Sequence, residues 1–245
     1  MATEGATRAA IDPDLDATLA ARYAAVHERV AIACERAGRD AAEVTIVGIS
    51  KTHPFATIAA AARAGIADLG ENRAQEFVPK AEEAAAAALD LRWHFVGHLQ
   101  RNKARQVLAH LYALHSLDSA ALVDEIDRRW SSGETPASRS PVRCYVEVNV
   151  AGETQKAGVV PSAVGPLLDR ASASPALEVA GLMTVAPRVD DPEDVRPVFR
   201  ELRELARAHG LTGLSMGMTE DYAVAIEEGA TVIRVGRAIF GERLA

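Results

Sequence analysis

Eight short apolar runs, each followed by a stretch of helix formers, recur along the chain from Val44 to its C-terminal end. This alternation constrains the fold more than any other feature. A run such as Val44 to Ile49 is too short for a helix and apolar on both faces, so it reads as a parallel strand buried on both sides. Further strands are predicted to start near Asp68, Arg92, Leu111, Arg143, Leu177, Leu214 and Thr231. Helices are predicted between them over Ala56–Ala64, Arg73–Ala88, Arg101–Ala109, Ser119–Trp130, Ser162–Ala171, Pro192–His209 and Asp221–Glu228. A strand–helix repeat of this kind in 245 residues fits an α/β fold, a single closed (β/α)8 barrel of TIM type, whose usual size is about 250 residues. The runner-up is an open doubly wound sheet, but no GxGxxG turn opens the first helix of the repeat.

An extra helix precedes the barrel. Asp12-Pro13 supplies N-cap and first helical position, Leu15, Leu19, Val26, Val30 and Ala33 form one apolar stripe, and Gly38 ends it. Residues 1–11 have no apolar face and read as a flexible N-terminus; 12–245 read as one barrel domain. The stretch Ser131–Pro141, rich in Ser, Pro and Gly, reads as a loop.

Composition narrows the function. The net charge is −7 and the pI about 5.5, so the chain lacks the positive field of a dedicated nucleic-acid binder. No apolar run is long enough to span a membrane. Two distant cysteines, Cys34 and Cys144, form no disulfide framework, fit a reducing cytosol and read as core. The N-terminal stretch has neither an apolar h-region nor a twin-Arg signal. A cytoplasmic monomer is expected, because no long apolar patch interrupts the acidic surface.

In a barrel, functional groups collect at the C-terminal ends of the strands. Lys51 directly follows the first strand, and an ammonium held in the barrel mouth is pushed toward the neutral amine that attacks an aldehyde. The plainer alternative is a solvated lysine at a strand end. After strands seven and eight stand Met216-Gly217-Met218-Thr219 and Arg234-Val235-Gly236-Arg237. Glycines there let backbone N–H groups approach a phosphate, and Thr219, Arg234 and Arg237 add a hydroxyl and charge. Two ordinary tight turns would look the same. A lysine on one side of a mouth and a phosphate cup on the other describe a site for a phosphorylated aldehyde; pyridoxal 5′-phosphate (PLP) is one, and a sugar phosphate for an aldolase is another. Met183, Met216 and Met218 could pack on a flat ring or fill the core. His94 and His98, four apart, lie near His115 and Asp118 without a metal-site spacing, so no metal is expected. Asn149 and Glu147 on strand five also stand near the mouth.

The ordered motifs GISKTHP (48–54), LGENRAQE (69–76), WHFVGHLQRNK (93–103), HSLDS (115–119), VEVNVAGETQKAG (146–158), GLMTVAP (181–187) and the run from Leu214 to Gly241 carry a resemblance covering nearly all of the barrel. The chain resembles the YggS/PROSC family of pyridoxal phosphate homeostasis proteins. That resemblance implies the barrel of alanine racemase, PLP fold type III, with PLP held as an internal aldimine on Lys51. It implies phosphate contacts from Ser215, Met216, Gly217 and Met218, followed by Thr219, where many members have Ser. It places Arg234 near the pyridine nitrogen, Gly236 and Arg237 at the phosphate, and Asn72 near the ring face. Arg237 stands where Thr is frequent, and His98 where some members have Pro. The function implied is storage, buffering or delivery of PLP to apo-enzymes, without turnover. A racemase-like enzyme and a Schiff-base aldolase are the alternatives. Racemisation needs an acid/base on each face of the cofactor, and none of Tyr23, Tyr112, Tyr145 and Tyr222 stands at a strand end.

Overall fold

The computed structural model describes residues 12–133, 140–153 and 155–242. The predicted flexible segment 1–11 and most of the predicted 131–141 loop lie outside them. Eight parallel strands close into a barrel in chain order: β1 Thr45–Ile49, β2 Asp68–Glu71, β3 Arg92–Phe95, β4 Ala113–Leu117, β5 Val142–Glu147, β6 Leu177–Met183, β7 Gly213–Ser215 and β8 Val232–Val235. β1 pairs with both β2 and β8, which seals the ring. The helices of the repeat are α2 Phe55–Arg63, α3 Ala74–Ala86, α4 Ala104–Leu108, α5 Ala120–Ser131, α6 Val164–Ser172, α7 Arg196–Ala208, α8 Tyr222–Glu227 and a short α9 Arg237–Phe240.

The additional helix α1, Pro13–Ala37, starts and stops where its signals stand. The Asp12 side chain accepts from the N–H groups of Asp14 and Leu15, and Gly38 ends the helix in the left-handed region at φ 64°. Its stripe Leu19, Val26, Val30 and Ala33 is buried against α8, α9 and α2. Arg39 then donates to the carbonyls of Ile226 and Ala230, both at 2.9 Å, and ties the end of α8 to α1.

Strand alternation divides the core in two. Outward side chains, among them Leu69, Trp93, Phe95 and Leu214, meet the helices in the larger core. Inward side chains Val47, Ile49, Tyr145, Met183 and Val232 form a small apolar plug inside the barrel. Gly70 accommodates this plug: a Cβ there would come within 2.6 Å of Ile49 Cδ1 and 2.9 Å of Val47 Cγ1. Between β6 and β7 the backbones are closer still, since a Cβ on Gly181 would run into the Gly213 carbonyl. The predicted helix over 101–109 divides into a 3-10 turn, Arg101–Lys103, and α4. Cys34 and Cys144 are both buried.

Candidate functional site

Lys51 leaves the end of β1 with the same parity as Val47 and Ile49, the two inward residues of that strand. Its neighbour Ser50 points the other way. Ser50 Oγ donates to Glu71 Oε1 at 2.7 Å, and Lys80 from α3 donates to that oxygen at 2.6 Å and to the Ser50 carbonyl at 2.9 Å. Thr52 adopts φ 67°, uncommon for a β-branched residue, and its N–H is held by Glu76 Oε2 at 2.6 Å. The first turns of α3 thus clamp both sides of Lys51 and fix the root of its side chain. Local strain of this kind is typical where a side chain must be aimed. Burial pushes the Glu71 carboxyl up, opposed by Lys80 and Ser50. Lys51 itself is half-buried.

A chain of polar side chains crosses the barrel interior. Arg92 grips Asp68 from β2 through Nε (2.7 Å) and NH2 (2.5 Å). Asp68 Oδ1 lies 2.9 Å from His94 Nε2, and His94 Nδ1 lies 2.9 Å from His115 Nε2. His115 Nδ1 lies 2.7 Å from Ser215 Oγ. Arg234 donates to that same oxygen at 2.7 Å and to the Thr184 carbonyl at 2.8 Å. His115 also stacks on Tyr145, ring centroids 4.7 Å apart. Burial lowers the pKa of His94 against the pull of Asp68, and pushes His115 well below the ordinary imidazole range. Burial also draws Arg234 down to about 10, opposed by Glu147 and Asp221, so it is a cation at neutral pH.

Burial would raise Asp68, but the hydrogen bonds from Arg92 and His94 outweigh it and hold the carboxyl at about 2. A folded-state pKa below the ordinary 3.8 contributes stability above that value, which is lost as pH falls from 3.8 through about 2. Asp68→Asn is therefore expected to cost about 2 kcal/mol at neutral pH and to flatten the acid limb of the stability curve. Urea midpoints measured at pH about 7 and about 3 check this; an acid limb as steep in the variant as in the parent would refute it.

The turns after β7 and β8 meet at the same end of the barrel as Lys51. The Arg234 N–H donates to the Gly217 carbonyl at 3.0 Å and links them. Gly217 stands at φ 93°, and a Cβ there would meet Ala225 Cβ at 2.6 Å, so only glycine fits. The Met218 N–H is held by Asp221 Oδ1 at 2.6 Å. Thr219 is half-buried. Gly236 is the N-cap of α9, whose first N–H groups have no acceptor within the helix. Arg237 is exposed and pairs with Glu220 at 2.6 Å, bridging the two turns. The structure does not bring every candidate side chain to the mouth. Met216 is fully buried in the outer core, Met183 lies in the interior plug, and the Ser215 hydroxyl is engaged with His115 and Arg234.

Asn72, expected near the ring face, and three groups without an assigned role, His98, Asp118 and Glu147, complete the mouth. Asn72 follows β2 with its Oδ1 buried and without a hydrogen-bond partner, and Gly97 lets the β3 turn pack against the Asn72 backbone. His98 and Asp118 pair at 2.7 Å above β3 and β4. Glu147, inward at the end of β5, is 7% exposed; burial and then Asp118 push its carboxyl up to about 7, opposed by Arg234 and His98. His94 and His98 belong to different sites, one in the barrel interior and one at the rim. Among the described residues no cluster of His, Cys, Asp or Glu could hold a metal, and no helix is long and apolar enough to cross a membrane.

Comparison with known proteins gives a consistent relationship. The sequence profile of the alanine racemase N-terminal domain matches residues 22–244. The pyridoxal phosphate homeostasis protein of Aquifex aeolicus is 44% identical over 228 residues, covering 91% of this chain and 97% of the relative. That of Pseudomonas aeruginosa is 38% identical over 92% of this chain and 96% of its own. PipY of Synechococcus elongatus, solved with PLP bound, superimposes with a TM-score of 0.77 at 32% identity, over 91% of this chain and 100% of PipY. Alanine racemase of Corynebacterium glutamicum shares the fold, with a TM-score of 0.63 at 17% identity over 89% of this chain and 60% of its own. By extent and identity, then, this chain belongs to the family of pyridoxal phosphate homeostasis proteins.

Proposed function

We propose that this chain binds PLP at the mouth of its barrel, attaches it covalently to Lys51, and stores it or passes it to apo-enzymes without turning over a substrate. The observation that carries the reading is the shared interior parity of Lys51 and Arg234, on strands that pair directly, with the β7 and β8 turns beside them. The residues suit such a ligand. Asn72 Oδ1 is a buried acceptor without a partner. Arg234 is a fixed buried cation with further N–H bonds for an acceptor. PLP bound there supplies an aldehyde to which a neutral amine adds with loss of water. Arg234 facing the ring nitrogen would keep that nitrogen unprotonated, which suits holding the cofactor more than using it as an electron sink. The relatives' names and the PLP bound to PipY support the same reading.

A racemase-like reading needs an acid/base across the mouth from Lys51. The tyrosines do not supply it. Tyr145 is in the interior plug, Tyr222 in the outer core, Tyr112 on the surface and Tyr23 on α1. Glu147 is the group placed to act, so loss of the Cα deuteron of labelled alanine on incubation with PLP-loaded protein separates the readings; none is expected. Large exposed apolar side chains, Ile32, Tyr112, Val160 and Val189, come from separate segments, which supports a monomer.

The direct test is spectral. Purified protein given PLP should turn yellow, borohydride should bleach the band, and the reduced adduct should map to the peptide containing Lys51. Loaded protein should also activate an apo-enzyme faster than PLP is spontaneously released; equal rates would leave storage and remove delivery.

A further inference from the structure

With both imidazoles neutral, as their burial favours, the hydrogen-bonded chain from Arg234 to Asp68 allows one proton direction only. A guanidinium can only donate and an ionised carboxylate can only accept. With Asp68 accepting, His94 carries its proton on Nε2 and leaves Nδ1 as an acceptor. His115 must then donate from Nε2 and offer Nδ1. The Ser215 hydroxyl gives its proton to that Nδ1, and its Oγ lone pair receives NH1 of Arg234. His94 is 3% exposed, and His115 and Ser215 are fully buried, so no water competes for these positions. Both neutral histidines are thereby fixed as Nε2–H tautomers.

We propose that His115, oriented by His94 and Asp68, is a positioning residue that acts through Ser215 to set the plane of the Arg234 guanidinium. Ser215 holds NH1 and the Thr184 carbonyl holds NH2, which leaves the remaining N–H bonds of the fork for a ligand ring. The inference rests on the reading of the mouth as a PLP site and deepens it: Ser215 serves the ring side of the site, not the phosphate side. Its hydroxyl proton is already given to His115, so it has none to donate to a phosphate oxygen.

Nuclear magnetic resonance of apo-protein with isotope-labelled histidine, near pH 7, reads the tautomers without cofactor. Nε2–H on both rings is expected, and Nδ1–H on His115 would overturn the proposal. Ser215→Ala is then titrated with PLP and with pyridoxal, which has the same ring and no phosphate. A ring-side role weakens both by a similar factor, about tenfold for one charge-assisted hydrogen bond. A loss confined to PLP, or no loss with either, would refute it. His115→Gln keeps a donor toward His94 and an acceptor toward Ser215, whereas His115→Leu keeps neither. Affinity should be retained by Gln and lost by Leu; equal affinity of two folded variants would also overturn the proposal. Parent protein that takes up neither ligand would instead bring down the reading of the mouth, and this role with it.

Discussion

Lys51→Ala protein given PLP is expected to show no borohydride-sensitive band and no reduced adduct on any peptide. The Lys51 root is fixed on one side by Ser50, Glu71 and Lys80 and on the other by Glu76 holding the strained Thr52. A covalent bond needs that placement, because an amine on a free stem would spend side-chain entropy on each approach. Lys80 cannot substitute: its ammonium is 2.6 Å from Glu71 and 2.9 Å from the Ser50 carbonyl, held between α3 and the ends of β1 and β2. Lys156 is likewise engaged, 2.5 Å from Glu153 and 3.2 Å from the Val185 carbonyl. Without the covalent link, Arg234 and the β7 and β8 turns should still hold some PLP, with affinity reduced at least about hundredfold, or ~2.7 kcal/mol. Absorbance titration and peptide mapping measure both parts. An undiminished adduct, or one that maps to Lys80 or Lys156, would sink the assignment of Lys51.

The barrel is legible in the sequence because burial on both faces makes parallel strands short and rich in apolar residues, β1 most clearly, with a helical stretch between one and the next. The ends of α1 are legible for a different reason: Asp12-Pro13 and Gly38 act locally, through hydrogen bonds and φ, and no distant residue can override them. α9 escaped notice because four residues carry too little periodicity. At the site, Lys51, Met216 and Arg234 all follow from their positions at strand ends, but that rule does not say which way each side chain points. Alternation supplies the direction: Ser215 is inward, so the side chain of the next residue, Met216, faces the helices. The interior chain was missed for want of the same step. Asp68, His94, His115 and Ser215 are distant in sequence and come together only when the inward parity of β2, β3, β4 and β7 is fixed. Gly70 marks that parity, since a residue without a side chain inside a strand shows where neighbours need room. Which hydroxyl or N–H is already engaged, as with Met218 and Asp221, depends on side-chain geometry that no pattern encodes.

Glu147→Gln is expected to stabilise the apo-protein above pH about 8 by about 3 kcal/mol and to leave it unchanged near pH 4.5. Burial, with Asp118 adding to it, raises the folded-state pKa of Glu147 to about 7 from 4.5. Between those values the folded chain keeps a proton that the unfolded chain has released. Stability is therefore highest below 4.5 and falls as pH rises through about 7, by about 1.4 kcal/mol per pH unit. Glutamine keeps the volume and polarity of the side chain and cannot ionise, so the variant should lack this decline. For a chain of this size the difference is roughly 6–12 °C in melting temperature at high pH. Parallel pH profiles for parent and variant would refute it. The carboxyl also lies in the field of Arg234 and, on β5, across the ring from β1 and Lys51. Its ionised form would repel a phosphorylated aldehyde and compete for the Arg234 cation. Parent affinity for PLP should therefore fall, relative to Glu147→Gln, as pH rises through about 7. A residue that lowers stability where glutamine would raise it is what a stability–function trade-off leaves at a ligand site. In that account the buried carboxyl at the mouth favours release of PLP at higher pH, and the ratio of the two affinities across that range decides whether it does.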